Sequence, residues 1–349
     1  MSAAGNPGEG RLVDARPGLH PQRLATLVAA AVERCELDLS GAVVITEGAT
    51  GAYVVTPVLA ALAGAKRVFA VTRSSAYGSV DDVSRQTFEV AHRLGVADQI
   101  RLVTDLPTEL VAQADIITNS GHVRPLDAAL VGWMKPSAVI PLMYEAWEFR
   151  SEDVDLDACR SKGVLVGATN ERHPAVDVFS FLGLMAVKQL LDAGVAPYLS
   201  SVLLLCNNAF CPYIERGLVA AGARVDIADR PEHAPEGARY DAVICALTAG
   251  AAPVIERAAA ETVGRRWPGV VLTQFWGDVD REALAAASVR VWPLAAPARG
   301  HMGVLPSAVG PEPIVRLQAG GLKAAEVMWK RQGGPALEYV QPLWDIATV

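Results

Sequence analysis

The sequence lacks what would mark a nucleic-acid binder, a membrane protein or a disulfide-stapled domain. It has no basic stretch, and over 349 residues acidic side chains outnumber basic ones 38 to 31, for a net charge of −7. That balance offers no footprint for a phosphate backbone, so nucleic acid is not expected as a partner. There is no long hydrophobic run either. The longest, 52–65, is too short for a bilayer and contains Pro57, so no membrane partner is expected. The opening MSAAGNPGEG has neither a basic n-region nor an apolar h-region and reads as a flexible tail. Cysteine is scarce. Cys35, Cys159, Cys206, Cys211 and Cys245 are odd in number, lie in apolar contexts and show no zinc spacing. They read as reduced thiols, with no metal, and imply a cytoplasmic location.

Apolar residues make up 51% and charged residues 20%, a globular balance with ample core. The length suggests two domains, three at most. His20-Pro21 opens a helix whose Leu24, Leu27, Val28 and Val32 form one buried stripe. From 42 onward, short apolar runs alternate with helical stretches. The runs are 42–46, 67–71, 99–103, 114–118, 137–141 and 163–167, with helices predicted at 53–64 and 80–94. Ser79 caps the second of these, with Asp81 and Asp82 in its first turn. Such alternation predicts a parallel sheet covered on both faces, here a dinucleotide-binding domain over 38–174 behind a tail and helix at 1–37. A linking segment at 175–200, helical to 193, leads to a second, smaller α/β domain at 201–320, with strands at 202–206, 223–227, 241–247, 269–273 and 289–293. The segment 298–320 reads as a loop over the cleft, and 321–330 as a last helix. Leu337, Tyr339, Leu343 and Trp344 in the tail call for burial. The fold class is α/β: two doubly wound, Rossmann-like parallel-sheet domains joined by long helices.

VVITEGATGAY at 43–53 is the most informative stretch. A strand ends, Gly48 and Gly51 lie three apart, and a helix begins. Backbone N–H groups there can approach a phosphate, aided by the helix N-terminus. Thr46 stands where the dinucleotide fingerprint has its first glycine. Thr46, Gly48, Thr50 and Gly51 are therefore cofactor-binding candidates, or else residues of a tight turn and close packing. The next strand ends in Thr72, Arg73, Ser74 and Ser75 rather than an acid. An arginine with flanking hydroxyls suits a 2′-phosphate, so NADP fits better than NAD, against a solvated arginine as the alternative.

The stretch ADIITNSGHVRPLDAALVGWMKPSAVIPLMYEAWEF, 114–149, resembles the corresponding part of D-2-hydroxyacid dehydrogenases and S-adenosylhomocysteine hydrolases, most closely at WMKPSAVIP. The resemblance covers about 130 residues. It implies a cofactor domain joined by long helices to a second α/β domain without the glycine fingerprint. The chain departs from the dehydrogenases after SAVIPLM. It has Tyr144, Glu145 and Trp147 where they carry a carboxylate-binding arginine, and its glycine-bearing domain comes first.

Ligands of doubly wound sheets sit beyond the strand carboxyl ends. That rule collects Asn119, Ser120, His122 and Arg124, then Tyr144 and Glu145, then Asn170, Glu171, His173 and Asp177. In the second domain it collects Asn207, Asn208 and Tyr213, then Gln274, Trp276 and Asp278. His173 resembles the histidine after the last strand in the dehydrogenases, with Glu171 near enough to orient it. His122 competes for proton transfer, and Glu145 joins them as a catalytic candidate. Asn119 and Ser120 are candidates for the cofactor. Asn207, Asn208, Tyr213, Trp276 and His301 are candidates for substrate, with Arg299 available to an anion. A loop, capping or core role is open to each of these. The leading expectation is an NAD(P)-dependent oxidoreductase on a small polar substrate (a carbonyl, imine or amino-acid derivative) in an interdomain cleft. Two alternatives stand beside it: a non-catalytic binding protein that keeps the scaffold, and an S-adenosylmethionine-dependent transferase suggested by EGATG. A homodimer or a protein partner is left open.

Overall fold

A computed structural model describes residues 16–343. The N-terminal tail and Trp344 lie outside the described residues. The chain divides into two compact units, 179–309 and the residues on either side of that segment.

The discontinuous unit begins with α1 (Pro21–Arg34), whose N-cap is the His20 ring accepting from the Gln22 amide. Then follow β1 (Val43–Glu47), α2 (Val55–Leu62), β2 (Arg67–Val71), α3 (Val80–Arg93), β3 (Ile100–Val103), α4 (Thr108–Val111), β4 (Ile116–Ile117), α5 (Ala128–Trp133), β5 (Val139–Leu142), α6 (Leu156–Lys162) and β6 (Leu165–Thr169). Ser79 and Asp82 close a reciprocal capping box on α3. The six strands are parallel in the order 3-2-1-4-5-6. The order reverses between β1 and β4, which makes that crevice the topological switch point.

The continuous unit contains α7 (Leu182–Asp192), β7 (Ser201–Cys206), α8 (Cys211–Ala220), β8 (Arg224–Ala228), β9 (Ala242–Ala246), α9 (Arg257–Arg266), β10 (Val271–Trp276), α10 (Arg281–Ala286) and β11 (Arg290–Trp292). Its five parallel strands run 11-10-9-7-8, a flavodoxin-like order rather than a second dinucleotide-binding one. Helices α7 and α8 cross with Gly183 and Gly217 back to back, and a Cβ on Gly183 would stand 2.7 Å from the Gly217 Cα.

The chain then returns to the first unit through α11 (Glu312–Trp329) and β12 (Val340–Pro342). The expected loop at 298–320 is thus half helix. The helix begins well before 321 because Gly320 and Gly321, which read as a break, are contact points. A Cβ on Gly320 would meet Val176 Cγ1 at 2.7 Å, and one on Gly321 would meet Met143 Sδ at 2.5 Å. The expected helix at 175–193 starts only at Leu182, since 170–178 is tied into turns and Asp177 has φ +49°. Helix α7 lies within the continuous unit and α11 within the discontinuous one. Nor is every strand parallel, for β12 pairs antiparallel with β6 at the sheet edge. In the tail, Leu343 packs on the core, Tyr339 is half-buried, and Leu337 is 47% exposed.

Candidate functional site

The glycine turn follows β1. Gly48 is buried, and a Cβ there would lie 3.1 Å from Leu102 Cδ2 and 3.3 Å from Val83 Cγ1, so this glycine serves close packing. Its amide donates to Val71 O at 2.7 Å. The next two amides, of Ala49 and Thr50, have no acceptor among the described residues. Thr50 Oγ1 instead donates to Tyr77 O at 3.1 Å. Gly51 has φ +66°, a left-handed conformation that suits glycine. Its amide donates to Gln86 Oε1 on α3 at 2.9 Å, so the turn's third glycine is occupied by the protein itself. Thr46 is fully buried and accepts from Thr118 Oγ1 at 2.9 Å, which joins Ser120 Oγ at 2.7 Å. The residue in the first-glycine position thus ties β1 to β4. Gly51→Val forces a β-branched residue into left-handed space and should cost about 1–3 kcal/mol of stability. Denaturant midpoints check this, and an unchanged midpoint would show that the turn relaxes freely.

Beyond β2, Arg73 is exposed, with Nε 3.5 Å from Thr104 O at the end of β3. Ser74 is exposed. Ser75 pairs with Gly78 through two backbone bonds, and its hydroxyl accepts from the Tyr77 amide at 3.2 Å. His122, half-buried after β4, titrates below its ordinary range because of burial and then the Arg73 charge. Two buried polar atoms along this edge have no partner: Thr72 Oγ1 after β2 and Asn119 Oδ1 after β4. The Asn119 amide donates through Nδ2 to Tyr144 Oη at 2.6 Å. Tyr144 donates in turn to Asp153 Oδ2, which Arg124 pairs at 2.9 Å.

The chemistry concentrates in carboxylates. Glu47, the last residue of β1, is 8% exposed, and its side chain fills the space that a Cβ on Gly121 would need. Burial pushes its carboxyl up to about 7, against a smaller downward pull from Arg124. Glu145 is buried beyond β5. Its oxygens accept from Gln341 Nε2 and Trp147 Nε1, both at 3.0 Å, and Arg172 lies 3.4 Å away. Burial still raises its pKa. Burial likewise pushes Glu148 up to about 7, and raises Glu171 well above the carboxylate range, with Glu148 and Glu145 adding repulsion. The Tyr53 phenol is raised by burial and by Glu47, Glu148 and Glu171. Burial raises each of these carboxyls, and Glu145, Glu148 and Glu171, beyond β5 and β6, act on one another.

His173 is elsewhere. Its ring stacks on Tyr339 with centroids 3.7 Å apart, and Nδ1 accepts from the Ala175 amide at 3.2 Å. Glu171 does not orient it: its carboxylate interacts with Glu148 and Glu145. Asn170 is bonded to the same tail segment, its Nδ2 donating to Glu338 O at 2.7 Å. In the continuous unit the asparagines are largely used internally. Asn207 Oδ1 accepts from the Thr248 amide at 2.9 Å, and Asn208 Nδ2 donates to Ala246 O at 2.8 Å, binding the ends of β7 and β9. Tyr213 packs edge-on to Phe179 under Arg216. Trp276 is core, its Nε1 donating to Gly300 O at 3.1 Å. His301 is half-buried, next in sequence to that glycine, and Arg299 donates to Ala251 O. Among the described residues there is no cluster of His, Cys, Asp and Glu that could hold a metal, and no helix long and apolar enough to cross a membrane. Sequence reasoning missed Glu47, Tyr53 and Glu148. The one signal for them was a glutamate closing an otherwise apolar buried strand.

No protein-family model matches the chain, and no curated protein does. Solved structures do. A dipicolinate synthase polypeptide from Bacillus subtilis is 12% identical over 85% of this chain and 100% of its own length, with a TM-score of 0.55. Its counterpart from Bacillus halodurans is 13% identical over 85% and 100%, at 0.52. D-2-hydroxyisocaproate dehydrogenase is 11% identical over 84% and 98%, but at 0.47 it carries no argument. The likeness to the two synthase polypeptides shows the Rossmann-type α/β fold that the sequence resembles.

Proposed function

We propose that the chain is a nicotinamide-dinucleotide-dependent oxidoreductase acting on a small polar substrate. One observation supports it above the rest. At the switch point of a 3-2-1-4-5-6 sheet, the amides of Ala49 and Thr50 and the buried Asn119 Oδ1 lack partners. An unpartnered buried atom such as Asn119 Oδ1 is costly, and a ligand relieves that cost. These groups fit a dinucleotide: the free amides suit its diphosphate, and Thr72 and Arg73 suit the adenosine end. Such a cofactor, when bound, supplies or accepts hydride. Glu148 and Glu171, both raised by burial and by their mutual repulsion, carry the proton in this reading, with Glu145 restrained by Arg172, Trp147 and Gln341 to position them. His173 is left out of the chemistry.

Arg73 at a strand end without an acid favours NADP over NAD. Calorimetry on Arg73→Ala should show NADP weakened by about tenfold or more with NAD unchanged. Equal affinities in both proteins would end the NADP preference. The absence of any dinucleotide binding at millimolar levels would end the oxidoreductase reading. A scaffold without cofactor is favoured by one feature, the Gly51 amide already held by Gln86. That result would support it.

A further inference from the structure

The opposite edge of the same sheet carries a different feature. Val43 pairs in register with Arg67, and Phe69 with Arg101. Side chains two apart on a strand share a face, and so do partners across a parallel pair. Val43, Arg67, Phe69 and Arg101 therefore lie on one face, near the strand starts. That face is poorly roofed. The helix between β3 and β4, α4, has only one turn, Thr108–Val111. What it leaves open is a pocket of about 340 Å³ whose lining includes Val43, Phe69 and Leu110 together with Lys66, Arg67 and Arg101. The three cations are exposed, and among the described residues none has an ion pair or a side-chain hydrogen bond. Asp115, between α4 and β4, is already taken by Lys135 at 2.5 Å and by the Val43 amide at 2.9 Å. In an acidic chain, two unpaired arginines on adjacent strands of one sheet face repel each other.

We propose that this amino-edge pocket binds a small phosphorylated anion, a phosphate monoester or diphosphate, at a site separate from the glycine turn. Two guanidinium forks and an ammonium match the oxygens of a phosphoryl group, and binding relieves the repulsion among them. The volume suits a small metabolite. The site does not depend on the oxidoreductase reading, because it lies at the other end of the strands.

Inorganic pyrophosphate is the probe, titrated calorimetrically into the full chain at low ionic strength. Binding should weaken by about tenfold or more in Arg67→Glu and in Arg101→Glu, less in the neutral Arg67→Gln and Arg101→Gln, and survive Arg73→Ala. All these side chains are exposed, so folding is preserved, and melting curves verify that. Affinity lost in Arg73→Ala but kept in the amino-edge variants would place the anion at the glycine turn and overturn the proposal. So would the absence of binding to the parent chain at millimolar pyrophosphate.

Discussion

Glu47→Gln should make the protein more stable in alkali and change little in acid. The Glu47 carboxyl is buried at the end of β1, has no hydrogen-bond partner among the described residues, and is pushed from an ordinary 4.5 up to about 7. Its native pKa exceeds its unfolded one, so the folded chain keeps a proton that the unfolded chain has lost. The stability tied to that proton is complete below about pH 4.5 and is lost as pH rises through about 7. Well above 7 the folded state carries a desolvated charge that costs about 3 kcal/mol. Glutamine keeps the volume and stays neutral. The melting temperature should therefore rise by about 6–12 °C at pH 9 and shift little at pH 4. A variant less stable than the parent at pH 9 would mean that the carboxylate has a compensating partner.

Gly217→Val should severely destabilise the continuous unit. Helices α7 and α8 touch backbone to backbone there, and a Cβ on Gly183 would also lie 2.7 Å from Tyr213 O. A branched side chain has no rotamer that avoids the facing helix. It must drive the helices apart and strip contacts from Phe179, Leu182 and Ile214 in the core beneath. The expected loss is about 3–5 kcal/mol, read from the denaturant midpoint, with Gly217→Ala losing roughly half of that. A loss under about 1 kcal/mol for valine would show that the crossing opens without resistance.

The strands were legible in the sequence because buried parallel strands read as unbroken apolar runs. VVIT, RVFAV and VLLLC all lie within strands of the structure. The order of those strands was not legible, since it depends on which way each crossover travels. Only the structure gives the second sheet its flavodoxin-like order, 11-10-9-7-8. Gly320 and Gly321 misled for a local reason. Glycine is disfavoured in helices, yet here it is what lets α11 rest on Met143 and Val176. At the site, the glycine turn stood out by its spacing. The buried carboxyls did not, because Glu47, Glu148 and Glu171 are far apart in sequence and only the sheet unites them. His173 drew attention for its residue type, while its ring is engaged by Tyr339 across 166 positions of sequence that no local pattern spans.

The late return of α11 and β12 bears on how the protein is made. α11 covers β5 and β6, and β12 seals the open edge of β6. Until ribosomes have translated past 342, Met143, Thr169 and Val176 face water and the β6 edge is free to pair with a neighbouring nascent chain. Residues 179–309 form an uninterrupted unit and are complete sooner. Completion on the ribosome thus runs opposite to the order of synthesis, and the unit holding the candidate site is the one that premature termination leaves unfinished.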